Sequence, residues 1–234
     1  MMRSENKPEW VVKTIVPEAV YTDRQEFPDY FHKAALNAAG RRTMSTVLLG
    51  QRRMGKTEIF KRVVNWLFSE QDPKDPEAVV PVCYSFPEAP MDRKDFAAQY
   101  LENFIRYYVG FRTGQPNLVS DEPESEELIS LAEDARSLFP FTRTLGLMLR
   151  KYKALMSGQL SLPHKTALEP PPQNIGHRRL HHRDIPGRVS KHPAPPARIR
   201  HCGLHAGGCG VPRLPHFVTG SAMSILAREI SGKW

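Results

Sequence analysis

Gly50, Gly55, Lys56 and Thr57 stand in the spacing G-x-x-x-x-G-K-T, and those residue types at that spacing suit one chemistry, the holding of a chain of phosphates. The physics needs each part. A phosphate chain must lie almost on the backbone, so Gly50 and Gly55 leave out the side chains that would block it. The loop amides and the N-terminus of a following helix then point at negative charge. Lys56 is placed to reach the outer phosphates, and the Thr57 hydroxyl is a candidate ligand for Mg²⁺. Gln51, Arg52, Arg53 and Met54 between the glycines, and Glu58 just after them, complete the stretch expected to line the phosphates. A chance match in a Gly/Lys-containing turn would produce the same letters. The flanks argue against it, because an apolar run over 45–49 leads in and helical spacing over 58–68 leads out.

The elements that must position this loop can be read in order. Residues 1–20 read as an N-terminal arm. Tyr21 to Phe27 lead into an amphipathic helix running to about Ala39, with Thr22 or Asp23 as its cap. After the loop, Ile59, Val63, Val64, Leu67 and Phe68 share one stripe, which is core-facing spacing. A turn cluster over 71–76 precedes a second strand, 79–86, in which Pro81 belongs near the start or at a sheet edge. Residues 92–109 read as a helix whose aromatic side (Phe96, Tyr100, Phe104, Tyr107, Tyr108) is expected to be core rather than a base-stacking surface. An acidic helix start leads into 120–139, and 141–156 continues as helix. Strand, loop, helix, strand and helices together predict an open α/β sheet with phosphates beyond the carboxyl ends of its strands.

The whole chain sets bounds. Its 234 residues suit one domain, or one domain with an extension, and 40% hydrophobic composition can supply a core. No apolar run approaches the ~18 residues of a membrane span. The polar start over 1–8 lacks a signal-peptide core, so a cytoplasmic location is expected. Cys83, Cys202 and Cys209 are an odd number in such a chain, which argues against a disulfide framework. The net charge of +8 is concentrated. Residues 170–215 hold eight basic side chains against Asp184 alone, so the rest of the chain is close to neutral. The basic balance is therefore weak support for nucleic-acid binding, which would have to use that segment.

Within 166–214 the sequence shows neither a period of 2 nor one of 3.6, and its composition is that of a disordered segment. His201, Cys202, His205 and Cys209 have metal-ligand types, but zinc sites show firmer paired spacing. The run His177, His181, His182 is no better. Order returns at 215–226, which reads as a strand end, a turn and a helix. A phosphate-loop enzyme also needs an apolar strand ending in Asp to hold Mg²⁺, and none stands here. Codons for Pro186 to Lys191 read one nucleotide later allow Leu-Asp-Glu-Phe-Gln, where that motif belongs. The segment is accordingly expected to be translated out of frame, with a natural basic linker as the alternative.

Gly50-Gln51-Arg52-Arg53-Met54-Gly55-Lys56-Thr57 resembles the G-x-R-R-x-G-K-T loop of archaeal-type ATPases, AAA-like members of the signal-transduction (STAND) class of P-loop NTPases. Tyr21 to Phe27 looks like the short Arg-Glu motif that precedes the first helix in that family. Phe217-Val218-Thr219-Gly220-Ser221 looks like its strand-plus-Gly-Ser element, which senses the γ-phosphate. The resemblance covers about 15–160 and 215–230. It implies a P-loop NTPase fold, a three-layer α/β/α arrangement with a mostly parallel sheet, incomplete here and interrupted by a disordered segment. The domain would run over 21–165 and resume at 215–234. The resemblance also implies ATP and Mg²⁺ as cofactors, ATP or ADP as the nucleotide, and hydrolysis used as a switch. A protein partner or homo-oligomer and further C-terminal domains would go with it. Lys56 and Thr219 would be catalytic, with Ser221 a second sensor candidate; residues 50–58 would bind nucleotide and Thr57 the metal. The metal-holding Asp and the catalytic Glu have no counterpart, and Trp234 follows soon after the sensor helix, where a lid domain is expected. Two other readings stay open: a nucleotide-dependent interaction module without turnover, and a nucleic-acid-binding protein acting through the basic segment. Sequencing of the gene checks the frame, since an uninterrupted frame lacking a displaced Asp-Glu-Phe-Gln removes that explanation.

Overall fold

The apolar stripe that follows the glycine-rich loop becomes α2 (Lys56–Glu70), and the other elements are arranged about it. The structure is a computed structural model that describes residues 11–17, 20–21, 24–38, 46–50, 54–85, 91–121, 123–139, 143–159, 199–206 and 216–220. In chain order the elements are α1 (Glu26–Asn37), β1 (Thr46–Leu49), α2, β2 (Val79–Ser85), α3 (Arg93–Thr113), α4 (Asn117–Ser120), α5 (Ser125–Leu138), α6 (Arg143–Met156), β3 (Ile199–Ala206) and β4 (His216–Gly220). Among the described residues no helix is long and apolar enough to cross a membrane.

Several boundaries differ from the sequence reading for local reasons. The first helix does not start at Thr22 or Asp23, which lie outside the described residues. Its cap position is Gln25, with no side-chain cap bond. α3 runs four residues past the expected stop at Val109. Gly110 does not end it, because Gly110 is there for close approach: a Cβ would meet the Gln115 carbonyl oxygen at 3.0 Å. The helix stops instead at Gly114, with φ +67°. Its start is capped by Asp92, whose carboxylate accepts from the Lys94 amide at 2.8 Å. The helix expected over 120–139 is α5, which starts later, at Ser125, with Glu126 and Glu127 in its first turn; the short α4 ends at Ser120, where that range begins, and Pro123 stands between the two.

The sheet order is β1-β4-β3-β2. β1 and β4 pair in parallel, while β3 is antiparallel to both β4 and β2. Three strands therefore run one way and β3 runs against them. The expected mostly parallel sheet is, among the described strands, a mixed one. β3 also falls inside the stretch that has no periodicity. A strand lying between two others can be held through backbone amides and carbonyls along both edges, which asks little of side-chain pattern. β2 is an end strand of this sheet, the place where Pro81 is tolerated.

Alternation along β2 separates two apolar clusters. Val79 packs with Phe31 of α1, with Ile59, Phe60, Val63 and Leu67 of α2, and with Phe217 of β4. Phe31 meets Phe60 and Phe217 edge-on, with ring centroids 4.8 and 5.3 Å apart. Val80 and Val82 pack with Leu101, Phe104, Ile105 and Tyr108 of α3 and with residues of α5 and α6. Each such fully buried side chain contributes roughly 1.5–3 kcal/mol. Phe104, Tyr107 and Tyr108 are buried, so that part of the aromatic side is core.

Arg112 ties these layers to the turn before β2. It is 1% exposed, and its Nη1 donates to the carbonyls of Pro73 and Asp75 at 2.9 and 2.6 Å. Replacing it by Met keeps the volume and leaves those carbonyls without a donor. Arg112→Met is expected to lower unfolding free energy by about 2–4 kcal/mol. Urea denaturation checks this, and a loss under about 1 kcal/mol would mean water replaces the guanidinium there.

Candidate phosphate-binding site

The loop is built by a strand that stops and a helix that starts. β1 ends at Leu49, Gly50 follows, and α2 opens at Gly55 with φ +73°, ψ 5°, the left-handed region. That conformation favours glycine, and Gly55 supplies no side-chain cap to the helix start. Lys56 is the first residue of α2 and is 9% exposed. Its Nζ turns back across the loop and donates to the Gly50 carbonyl at 2.8 Å. A Cβ on Gly50 would lie 3.6 Å from Lys56 Cδ, so the loop and the lysine stem are in close contact. Burial pushes the Lys56 pKa below the ordinary lysine value. The folded chain then holds that proton less tightly than the unfolded chain, a cost to stability that fades as pH rises toward the ordinary value.

Parallel pairing of β1 and β4 brings a second candidate to the same end of the sheet. Leu48 stands opposite Thr219, and Leu49 opposite Gly220. Adjacent strands are about 5 Å apart, so Thr219 lies beside the strand end that launches the loop. Thr219 is buried at 3% exposure, two residues after Phe217 and therefore on the face covered by α1 and α2. Thr57 is half-buried in the first turn of α2, and Met54 is exposed. Gln51, Arg52, Arg53 and Ser221 lie outside the described residues, as do His177, His181, His182, Asp184 and Cys209.

Glu58 is used differently from the expectation. It is 4% exposed, and its carboxylate accepts the Ile15 amide at 3.1 Å and the Val16 amide at 3.2 Å. A bound phosphate chain would meet the backbone of Glu58 rather than its side chain. The same face of α2 carries Arg62 and Asn65. Arg62 donates to the Val16 carbonyl at 2.7 Å and stacks on the Tyr21 ring at 3.7 Å. Asn65 makes a paired bond with Val12, receiving its amide at 2.9 Å and donating to its carbonyl at 3.0 Å. Arg24, just before α1, donates from Nη1 to the Met54 carbonyl of the loop. The sequence reading missed Arg62 and Asn65, and the contacts that Glu58 and Arg24 make. A signal was present, since Glu58, Arg62 and Asn65 recur at i, i+4 and i+7 and so share one face.

Phosphates fit what is here. A left-handed glycine opens the helix, Gly50 has no side chain, and the Lys56 ammonium lies across the loop on the Gly50 carbonyl, features that suit an anion. For Mg²⁺ the described candidate is the Thr57 hydroxyl alone, which would act with phosphate oxygens and water. Among the described residues no group of three His, Cys, Asp or Glu side chains could hold a metal.

Gly55→Ala puts a Cβ where the backbone is left-handed. It is expected to cost about 1–2 kcal/mol of stability, seen in urea unfolding, and to weaken nucleotide binding in titration. Unchanged values for both would show that the loop can adopt another backbone path.

Comparison of the chain with protein-family models, with curated proteins and with solved structures gives no match.

Proposed function

We propose that the chain is a P-loop ATP-binding protein of the AAA/STAND kind, in which residues 50–58 cradle the phosphates of Mg-ATP. One observation carries this reading: a buried Lys56 folded back on the Gly50 carbonyl, between a strand end and a helix opened by a left-handed glycine. The loop amides would take the phosphate oxygens, Lys56 would exchange its bond to Gly50 for the β- and γ-phosphates, and Thr57 would ligate Mg²⁺. Thr219, opposite Leu48 in the strand pairing, would sense the outer phosphate. Helices packed against both faces of a strand-loop-helix unit are consistent with a three-layer P-loop domain. The proposed setting is cytoplasmic, with a protein partner or a second copy reading the nucleotide state.

A specific observation favours a second reading, binding without turnover. Hydrolysis needs a carboxylate to orient water beside the phosphates. The strand between β2 and β4 is Ile199–Ala206, and it contains neither Asp nor Glu.

Calorimetric titration with Mg-ATP tests the first reading. Wild-type protein is expected to bind, and Lys56→Ala to bind roughly 10- to 150-fold more weakly, the loss of about 1.5–3 kcal/mol for a charge-assisted bond. Equal affinities would remove the loop from the site. Phosphate release measured alongside separates the readings, because binding without release assigns the chain to the second.

A further inference from the structure

Among the described strands β2 ends the sheet, so its outer edge has no described strand beside it. Alternate residues of a strand turn their backbone groups to opposite edges. Side-chain contacts show which residues of β2 face outward. Gln71 meets both groups of Val79: its Oε1 accepts the Val79 amide at 2.7 Å, and its Nε2 donates to the Val79 carbonyl at 2.9 Å. Further along, Asn103 Nδ2 donates to the Cys83 carbonyl at 3.0 Å. Val79, Pro81, Cys83 and Ser85 are therefore the outward residues, and Val80, Val82 and Tyr84 face β3.

Gln71 does at Val79 what a backbone residue of a neighbouring strand would do, accepting an N–H and donating to a C=O. Its Nε2 also donates to the Leu67 carbonyl in the last turn of α2, at 2.8 Å, which pins the amide in place. Pro81 has no N–H to offer at its outward position. These features matter because a strand edge is a template for another strand, and natural edges are often kept apart by charge. β2 carries no charge: Val79–Ser85 reads VVPVCYS.

We propose that the outer edge of β2 is a latent pairing surface for a second copy of this chain, and that Gln71 holds it shut by standing in for a neighbouring strand. A second copy is the occupant because β2 is uncharged. Two such edges can pair antiparallel about a twofold axis, each meeting the outward groups of the other.

The test is light scattering of the full chain over a range of concentrations without nucleotide, with circular dichroism to confirm folding. Gln71→Ala is expected to rise to about twice the wild-type mass. Adding Ser85→Lys puts a charge on an exposed outward residue of the same edge and is expected to restore the wild-type mass. Arg112→Met loosens the turn before β2 but leaves Gln71 in place, so it separates edge pairing from loss of stability. It is expected to keep the wild-type mass. Should Gln71→Ala not fold, Gln71→Glu replaces it, keeping an acceptor for the Val79 amide and removing both donors. An unchanged mass in the Gln71 variant overturns the proposal. Association that persists with Ser85→Lys, or that Arg112→Met shows equally, overturns it as well.

Discussion

Arg62 has no exposed surface, and a guanidinium in that position must be answered by the groups packed around it. The answer comes from outside its own helix. The Val16 carbonyl accepts from it and the Tyr21 ring lies under it, while Glu58 stands one turn earlier at 3.8 Å. Residues 12–16 and Tyr21 are therefore not an appendage, since they supply partners to the polar face that α2 buries. Breaking such an arrangement by removing one partner costs far more than the pair contributes when intact. α2 consequently buries two faces at once, an apolar one in the core and a polar one under residues 12–16.

Because α2 also begins at the loop, this constraint reaches the site. The apolar face, through Phe60 and Val63, meets Phe31 and Phe217 and seats the helix on β4. β4 in turn pairs with β1, so the strand that launches the loop and the helix that receives it are braced by the same cluster. Lys56 and Gly55 then open the helix where a strand ends, with Thr219 alongside. In the proposed phosphate site this brace would hold the backbone of the helix start in place while Lys56 exchanges its bond to Gly50.

β3 is the element that fits its neighbours least. It runs against β2 and β4, which run together, and it comes from a stretch rich in Arg and His without alternation. Its place in the sheet depends on backbone pairing, which any sequence other than proline can make. Function is more demanding than pairing, since orienting water beside a phosphate needs a carboxylate. A strand without one can complete a sheet and still, in the proposed reading, leave nucleotide bound without turnover.

The strand, loop and helix start were legible in the sequence because their signals are local: the apolar run, Gly50, Gly55 and the stripe after it set backbone conformation within a short stretch. The stripe of α2 and the position of Pro81 were legible for the same reason, since each reflects a short-range rule of spacing or backbone geometry. What the sequence could not show was pairing across distance. Arg24 with Met54, Glu58 with Ile15 and Asn65 with Val12 join residues 30 to 53 positions apart, and no local period records them. The stop of α3 at Gly114 rather than Gly110 depended on the path of the chain returning over Gly110. The reversed direction of β3 was likewise decided by two neighbouring strands. Spacing by itself marked the residues that read as a phosphate loop; tertiary structure decided what holds them in place, because buried polar groups take whichever partners the fold brings within hydrogen-bond reach.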